Sequence, residues 1–97
     1  MKVVFEPGAR QDVLDAIDWY LREAGAPQAE RFELDVFRCL DLLVTLPAIG
    51  TPSRRKVRKI ALRQFPYSIV YRDEPELIRV IAVAHHRREP AYWTKRR

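Results

Sequence analysis

Two apolar stripes of helical period lie almost back to back in the first half of the chain, with Gly25 and Pro27 at their junction. From Ala9 onward, Val13, Ala16, Ile17, Tyr20 and Ala24 recur at helical spacing, and Gly25 follows where a left-handed cap is needed. Pro27 suits a first helical turn, and Ala29, Phe32, Val36, Leu40, Leu43 and Leu46 repeat the pattern as far as Pro47. So short a connection forces the two helices to run antiparallel and share an apolar seam. Whatever the rest of the chain does, it has to pack against a helical hairpin.

The flanking segments have a different period. Val3 to Glu6 reads as a short strand ended by Pro7-Gly8. After Leu46 to Ser53, a long connection holding two prolines and a glycine, the apolar period falls to about two, with Ile60 and Leu62 around Ala61. Pro66 interrupts this strand, and Tyr67-Ser68-Ile69-Val70-Tyr71 begins another, dense in β-branched and aromatic residues. Asp73-Glu74-Pro75-Glu76 is a polar turn before Leu77 to Ala84, a nearly continuous apolar run that predicts a strand buried on both faces at the centre of the sheet. The order β-α-α-β-β-β predicts an α+β fold, the N-terminal hairpin packed on a mainly antiparallel sheet with the other face or an edge left available. With no internal repeat, a single domain over residues 1–97 is expected.

Charge is divided unevenly. Residues 1–50 hold five Lys/Arg against nine Asp/Glu, and residues 51–97 hold thirteen against four, so the halves differ in sign. Such an asymmetry points to an anionic partner. The cations cluster: Arg54, Arg55, Lys56, Arg58, Lys59 and Arg63 fall in a stretch without an acid, and Arg87, Arg88, Lys95, Arg96 and Arg97 close the chain. A single face shared by the two runs is compatible with the sequence, as is a first run that only protects an edge strand.

Other conspicuous residues have plainer readings. Asp12, Asp15 and Asp18 fit a solvated helix face. Trp19 and Tyr20 fit the core or the hairpin face, and Tyr92 with Trp93 fits a hydrophobic lid packing the tail on the sheet. His85 and His86 do not suggest a zinc pair, because neighbouring strand residues point to opposite faces and no further His or paired Cys completes a site; neither metal nor other cofactor is expected. Cys39, the single cysteine, sits in the apolar helical pattern as a buried thiol, which suits a reducing cytoplasm. Nothing approaches the roughly 18 apolar residues of a membrane span, and no signal-peptide pattern is present, so no membrane association is expected.

Several segments, in order, resemble the RelE/ParE superfamily of toxins from bacterial toxin–antitoxin pairs. They are Asp18-Trp19-Tyr20, Ala29-Glu30-Arg31-Phe32, Leu46-Pro47-Ala48-Ile49-Gly50, Arg63 through Tyr71, and Ala82 through Trp93. The resemblance spans nearly the whole chain and implies a cytoplasmic toxin neutralised by a cognate antitoxin in a hetero-oligomer. Similar toxins divide between inhibitors of DNA gyrase, which act by binding, and ribosome-dependent messenger-RNA endonucleases, which need a base, an acid and cations but no metal.

For the nuclease class the resemblance implies Arg58, Lys59 and Arg63 as second-strand cations, Arg87 or Arg88 as the post-strand arginine, His85 or His86 as a proton-transfer group, and Tyr92 as the terminal tyrosine. If the chain is a nuclease, Arg58, Arg63, His86, Arg88 and Tyr92 are its catalytic candidates. One position departs from the scheme: the third-strand arginine is replaced by Ser68, whose hydroxyl offers phosphate no fixed cationic fork. Together with Phe65-Pro66-Tyr67 this favours a ParE-like gyrase inhibitor without catalytic residues, in which Arg54, Arg55, Lys59, Arg87, Arg88 and Trp93 would meet the antitoxin or the target. The alternatives are the messenger-RNA endonuclease and a basic module that binds nucleic acid or a partner protein without toxicity.

Overall fold

A computed structural model of the chain describes residues 1–88 and 92–96; Arg97 of the terminal basic cluster lies outside them. Strand β1 (Lys2–Phe5) leads into helix α1 (Pro7–Ala24), which begins two residues earlier than the apolar spacing indicates because Pro7 occupies the first turn. Ala9, Asp12, Ala16 and Tyr20 form its buried stripe. At Gly25 the backbone takes φ 91°, and its N–H donates to the Tyr20 carbonyl at 2.9 Å. That residue both closes α1 and precedes α2 (Ala26–Thr45), so the hairpin turns on one glycine. The stripe of α2 is Ala29, Phe32, Asp35, Val36, Cys39, Leu40 and Leu43.

Among the described residues five strands make the sheet, in the order β1-β5-β4-β3-β2. The added strand is β2 (Thr51–Pro52), which the sequence reading leaves inside the long connection because two residues, one a proline, carry no period. It pairs antiparallel with β3 (Arg58–Ala61), which pairs with β4 (Tyr67–Glu74), which pairs with β5 (Leu77–His85). Only β1 runs parallel to its neighbour, β5. The expected apolar strand is therefore interior and buried on both faces, but the central position belongs to β4.

A bulge explains how β5 serves two faces. Tyr71 pairs with Val80 and Val70 with Ala82, so Ile81 is an extra residue that reverses the alternation beyond it. Ile78, Val80 and Val83 pack under the helices with Tyr20, Phe32, Phe65, Tyr67, Ile69 and Tyr71. Ile81 and Ala82 join Val57, Val70 and Trp93 in a second, smaller core on the opposite face. Trp93, in a 3-10 turn over Tyr92–Arg96, is 3% exposed and is the lid that covers that face.

Two connections are tied down by groups reaching from elsewhere. The buried Asp35 carboxylate accepts the backbone N–H of Gln64 at 2.8 Å and of Arg63 at 3.3 Å, anchoring the link between β3 and β4 to α2. Tyr71 accepts the Gly50 N–H at 2.9 Å and donates to the Pro47 carbonyl at 2.7 Å. A Cβ on residue 50 would stand 2.6 Å from the phenolic oxygen, so the close approach requires glycine.

Candidate functional site

Strand β1 is too short to cover β5. Their register ends at Phe5 opposite Val80, and a last bond runs from the Glu6 N–H to the Val80 carbonyl at 2.9 Å. Beyond it the edge of β5 is completed by side chains. Asp12 accepts the Val83 N–H at 3.0 Å, and Arg96 donates to the Ile81 carbonyl at 3.2 Å. Arg96 also grips Asp12 with two bonds, 2.9 Å to Oδ2 and 3.1 Å to Oδ1. Tyr92 Oη donates to Asp12 Oδ2 at 2.9 Å, and Arg88 approaches Oδ1 at 3.7 Å.

The expectation of a solvated acidic face holds for Asp15 and Asp18, both exposed, but fails for Asp12, whose side chain is 5% accessible. A carboxylate so far from water is stable only when charge and hydrogen bonds surround it, and three donors, Val83, Tyr92 and Arg96, together with the Arg88 charge do so. Burial, then the Asp12 charge and hydrogen bond, push the Tyr92 phenol up to about 12. The bond to Asp12 raises Arg96 above the ordinary arginine range. The Arg88 and Arg96 guanidiniums lie 3.6 and 4.9 Å from the centre of the Tyr92 ring. A Cβ on residue 8 would meet the Arg96 guanidinium at 2.7 Å, so Gly8 leaves room for the clasp.

Beside the clasp, under the helix face, opens a cleft of about 540 Å³ with walls from Trp19, Tyr20, Tyr67 and His85 and with Asp15 and Arg88 at its border. His85 stands edge-on to Tyr67, ring centres 4.9 Å apart, and its pKa is lowered by burial and then by His86 and Arg87. A second groove of about 450 Å³ runs between β1 and the hairpin, with Phe37 and Leu14 more than half exposed along it. Among the described residues no three His, Cys, Asp or Glu side chains are grouped to hold a metal ion, and no helix is long and apolar enough to cross a membrane.

The two basic runs do not converge. Arg54 and Arg55 sit on a turn between β2 and β3, at one border of the sheet, whereas Arg88 and Arg96 are drawn to Asp12 beside β5, toward the other. Arg58 donates to the carbonyls of Ala48 and Gly50 at 3.2 and 2.8 Å, holding the connection after α2. Lys59, Arg63 and Arg87 are exposed. Ser68 Oγ and His86 Nε2 lie 3.0 Å apart, on the sheet face away from Tyr67 and His85.

A model of the family described as the ParE toxin of the type II toxin–antitoxin system parDE matches residues 3–90. The chain belongs to the ParE toxin family. A comparison with curated proteins finds no match. Among solved structures, the ParE-family fold seen here is similar to the chromosomal ParDE system from P. aeruginosa, with TM-score 0.76 and 23% identity, covering 88% of this chain and 95% of that one. It is similar also to the E. coli RelBE toxin–antitoxin complex, with TM-score 0.57 and 23% identity over 90% and 98% of the two chains. For the isolated E. coli RelE toxin the values are 0.58, 21%, 97% and 93%.

Within this ParE-family chain, the sequence reading missed Asp12 and Asp35 as organising residues. A signal was present. Asp12 stands four residues before Ala16 and eight before Tyr20, and Asp35 three after Phe32 and four before Cys39, so both occupy the buried stripes by position.

Proposed function

We propose that this ParE-family toxin acts by binding DNA gyrase, without breaking bonds itself, and is held inactive by a cognate antitoxin in the cytoplasm. The observation that carries the reading is the engagement of Tyr92: its phenol donates to a buried carboxylate and is pushed up to about 12, far from the range in which a general acid or base works near neutrality. Arg58 supports it too, because backbone carbonyls occupy the guanidinium that a nuclease would turn on phosphate. The antitoxin would place acidic side chains on Arg54, Arg55, Arg87 and Arg88, and apolar anchors in the groove beside Leu14 and Phe37 would supply most of the affinity.

A second reading, a ribosome-dependent endonuclease, is favoured by one contact, the 3.0 Å pair of Ser68 and the exposed His86, an imidazole suited to proton transfer. Purified toxin added to a gyrase supercoiling assay, beside a translation-coupled RNA cleavage assay, separates the two. Inhibited supercoiling with intact RNA is expected; cleaved RNA with unimpaired gyrase would overturn the proposal.

A further inference from the structure

The turn between β2 and β3 is strained where it carries the most charge. The Val57 N–H bonds the Arg54 carbonyl at 3.2 Å, and the Ser53 N–H bonds the Val57 carbonyl at 2.8 Å, closing a tight hairpin. Its two central residues both have positive φ, Arg55 at 57° and Lys56 at 60°. This is the backbone of a type I′ turn, which Asn-Gly adopts with little strain and long side chains adopt at a cost. Two cations nevertheless occupy both positions.

A third observation comes from outside the loop. Arg72, on β4, donates to the Arg55 carbonyl at 3.3 Å, so the fold brings a further guanidinium to the same tip. Asp73, next along β4, points by alternation to the opposite face. Arg54, Arg55 and Lys56 are solvent-exposed, and residues 51–63 contain no acid.

We infer that this hairpin tip binds the phosphate backbone of duplex DNA. A two-stranded ribbon matches the roughly 12 Å major groove of B-form DNA, whereas the major groove of A-form RNA is too narrow to admit it. Residues 53–56 include no aromatic ring on which an unpaired base could stack and no apolar anchor, so an antitoxin that reaches Arg54 and Arg55 draws its affinity from elsewhere on the chain. Arg54, Arg55 and Lys56 contact phosphates, while Arg72 holds the tip through the Arg55 carbonyl and adds its charge beside it. The inference goes beyond the toxin reading, and a DNA titration gives its answer whether or not the chain inhibits gyrase.

The test is fluorescence anisotropy of a labelled DNA duplex titrated with the full chain at several salt concentrations. Three phosphate contacts predict a slope of log K against log salt of about −3. Replacing the tip by the preferred pair, Arg55→Asn with Lys56→Gly, should weaken binding at least about tenfold at low salt and reduce the slope's magnitude by about 2. The same variant should keep or raise the melting temperature, which separates lost contact from lost fold. Arg31→Ala with Arg38→Ala removes equal charge from α2 and should leave the slope nearly unchanged. Equal losses in both variants, or unchanged DNA binding by the tip variant, would overturn the inference. So would tip-dependent binding of duplex RNA or an acidic peptide in the absence of DNA binding.

Discussion

Asp12 and Arg96 stand 84 positions apart in the chain, yet two hydrogen bonds of 2.9 and 3.1 Å join their side chains. The pair links the first helix to the final turn and, through Val83 and Ile81, completes the edge of β5. Asp12→Ala should therefore do more than remove a charge: it leaves Arg96 partly buried without its partner and the Val83 amide without an acceptor. A loss of about 3–5 kcal/mol in urea denaturation is expected, with Asp12→Asn intermediate. Faster hydrogen exchange at Val83 should accompany it, and a variant as stable as the parent would contradict the clasp.

Trp93→Ala probes the other attachment of the tail. The indole is 3% exposed against Val57, Val70, Ile81 and Ala82, so its truncation leaves a cavity under the second sheet face. A loss of about 3 kcal/mol is expected by denaturant titration. A change below about 1 kcal/mol would mean that the tail does not cover this face in solution.

Tyr92→Phe and His86→Ala divide binding from catalysis. The first keeps the ring beneath Arg88 and Arg96 and deletes one hydrogen bond to Asp12, worth about 1–3 kcal/mol with a charged acceptor. The second removes the exposed partner of Ser68. For a toxin that acts by binding, growth arrest on induction should persist in both variants. For an endonuclease, either change should reduce RNA cleavage about a hundredfold or more while the protein stays folded.

Alkaline pH should weaken the fold in a defined window. Burial raises Cys39 from 9.0 to about 11, and raises Tyr67 and Tyr92 from 10.0 to about 12. All three are acids whose folded values lie above the unfolded ones, so the native state holds its protons longer. Their contribution is complete below about pH 9 and is lost progressively toward pH 12. Urea midpoints should fall across that range, less steeply for Tyr92→Phe, and Cys39 should resist alkylation near neutral pH until the protein unfolds. A flat profile from pH 9 to 12 would contradict these environments.

The hairpin and the three longer C-terminal strands were legible because each follows a period set by its own backbone. Phe32, Val36, Leu40 and Leu43 mark a helix whatever surrounds them. Asp12 and Asp35 are hidden because an acid by type reads as solvent-facing, and no local pattern reveals that a loop amide will arrive from 28 residues away or a strand edge from 71. The separation of the two basic runs was hidden for a related reason. Sequence shows that cations cluster, but the sheet order β1-β5-β4-β3-β2 decides that the clusters face different borders. The type I′ backbone at Arg55 and Lys56 was invisible, since neither residue favours it.

The extra residue at Ile81 gives β5 one position at which its length, as well as its composition, can change without shifting the register on β4. Exchanging one apolar residue for another there changes packing by a methyl group or two. Deleting Ile81 would give unbroken alternation with β4 and leave Val83 and His85 toward the helices, because Val70 already pairs with Ala82 and Tyr71 with Val80, but it would take one side chain out of the second core beneath Trp93. A change of length in β5 should therefore be tolerated at the bulge before anywhere else in the strand, where it would shift the register of Val80 or Val83.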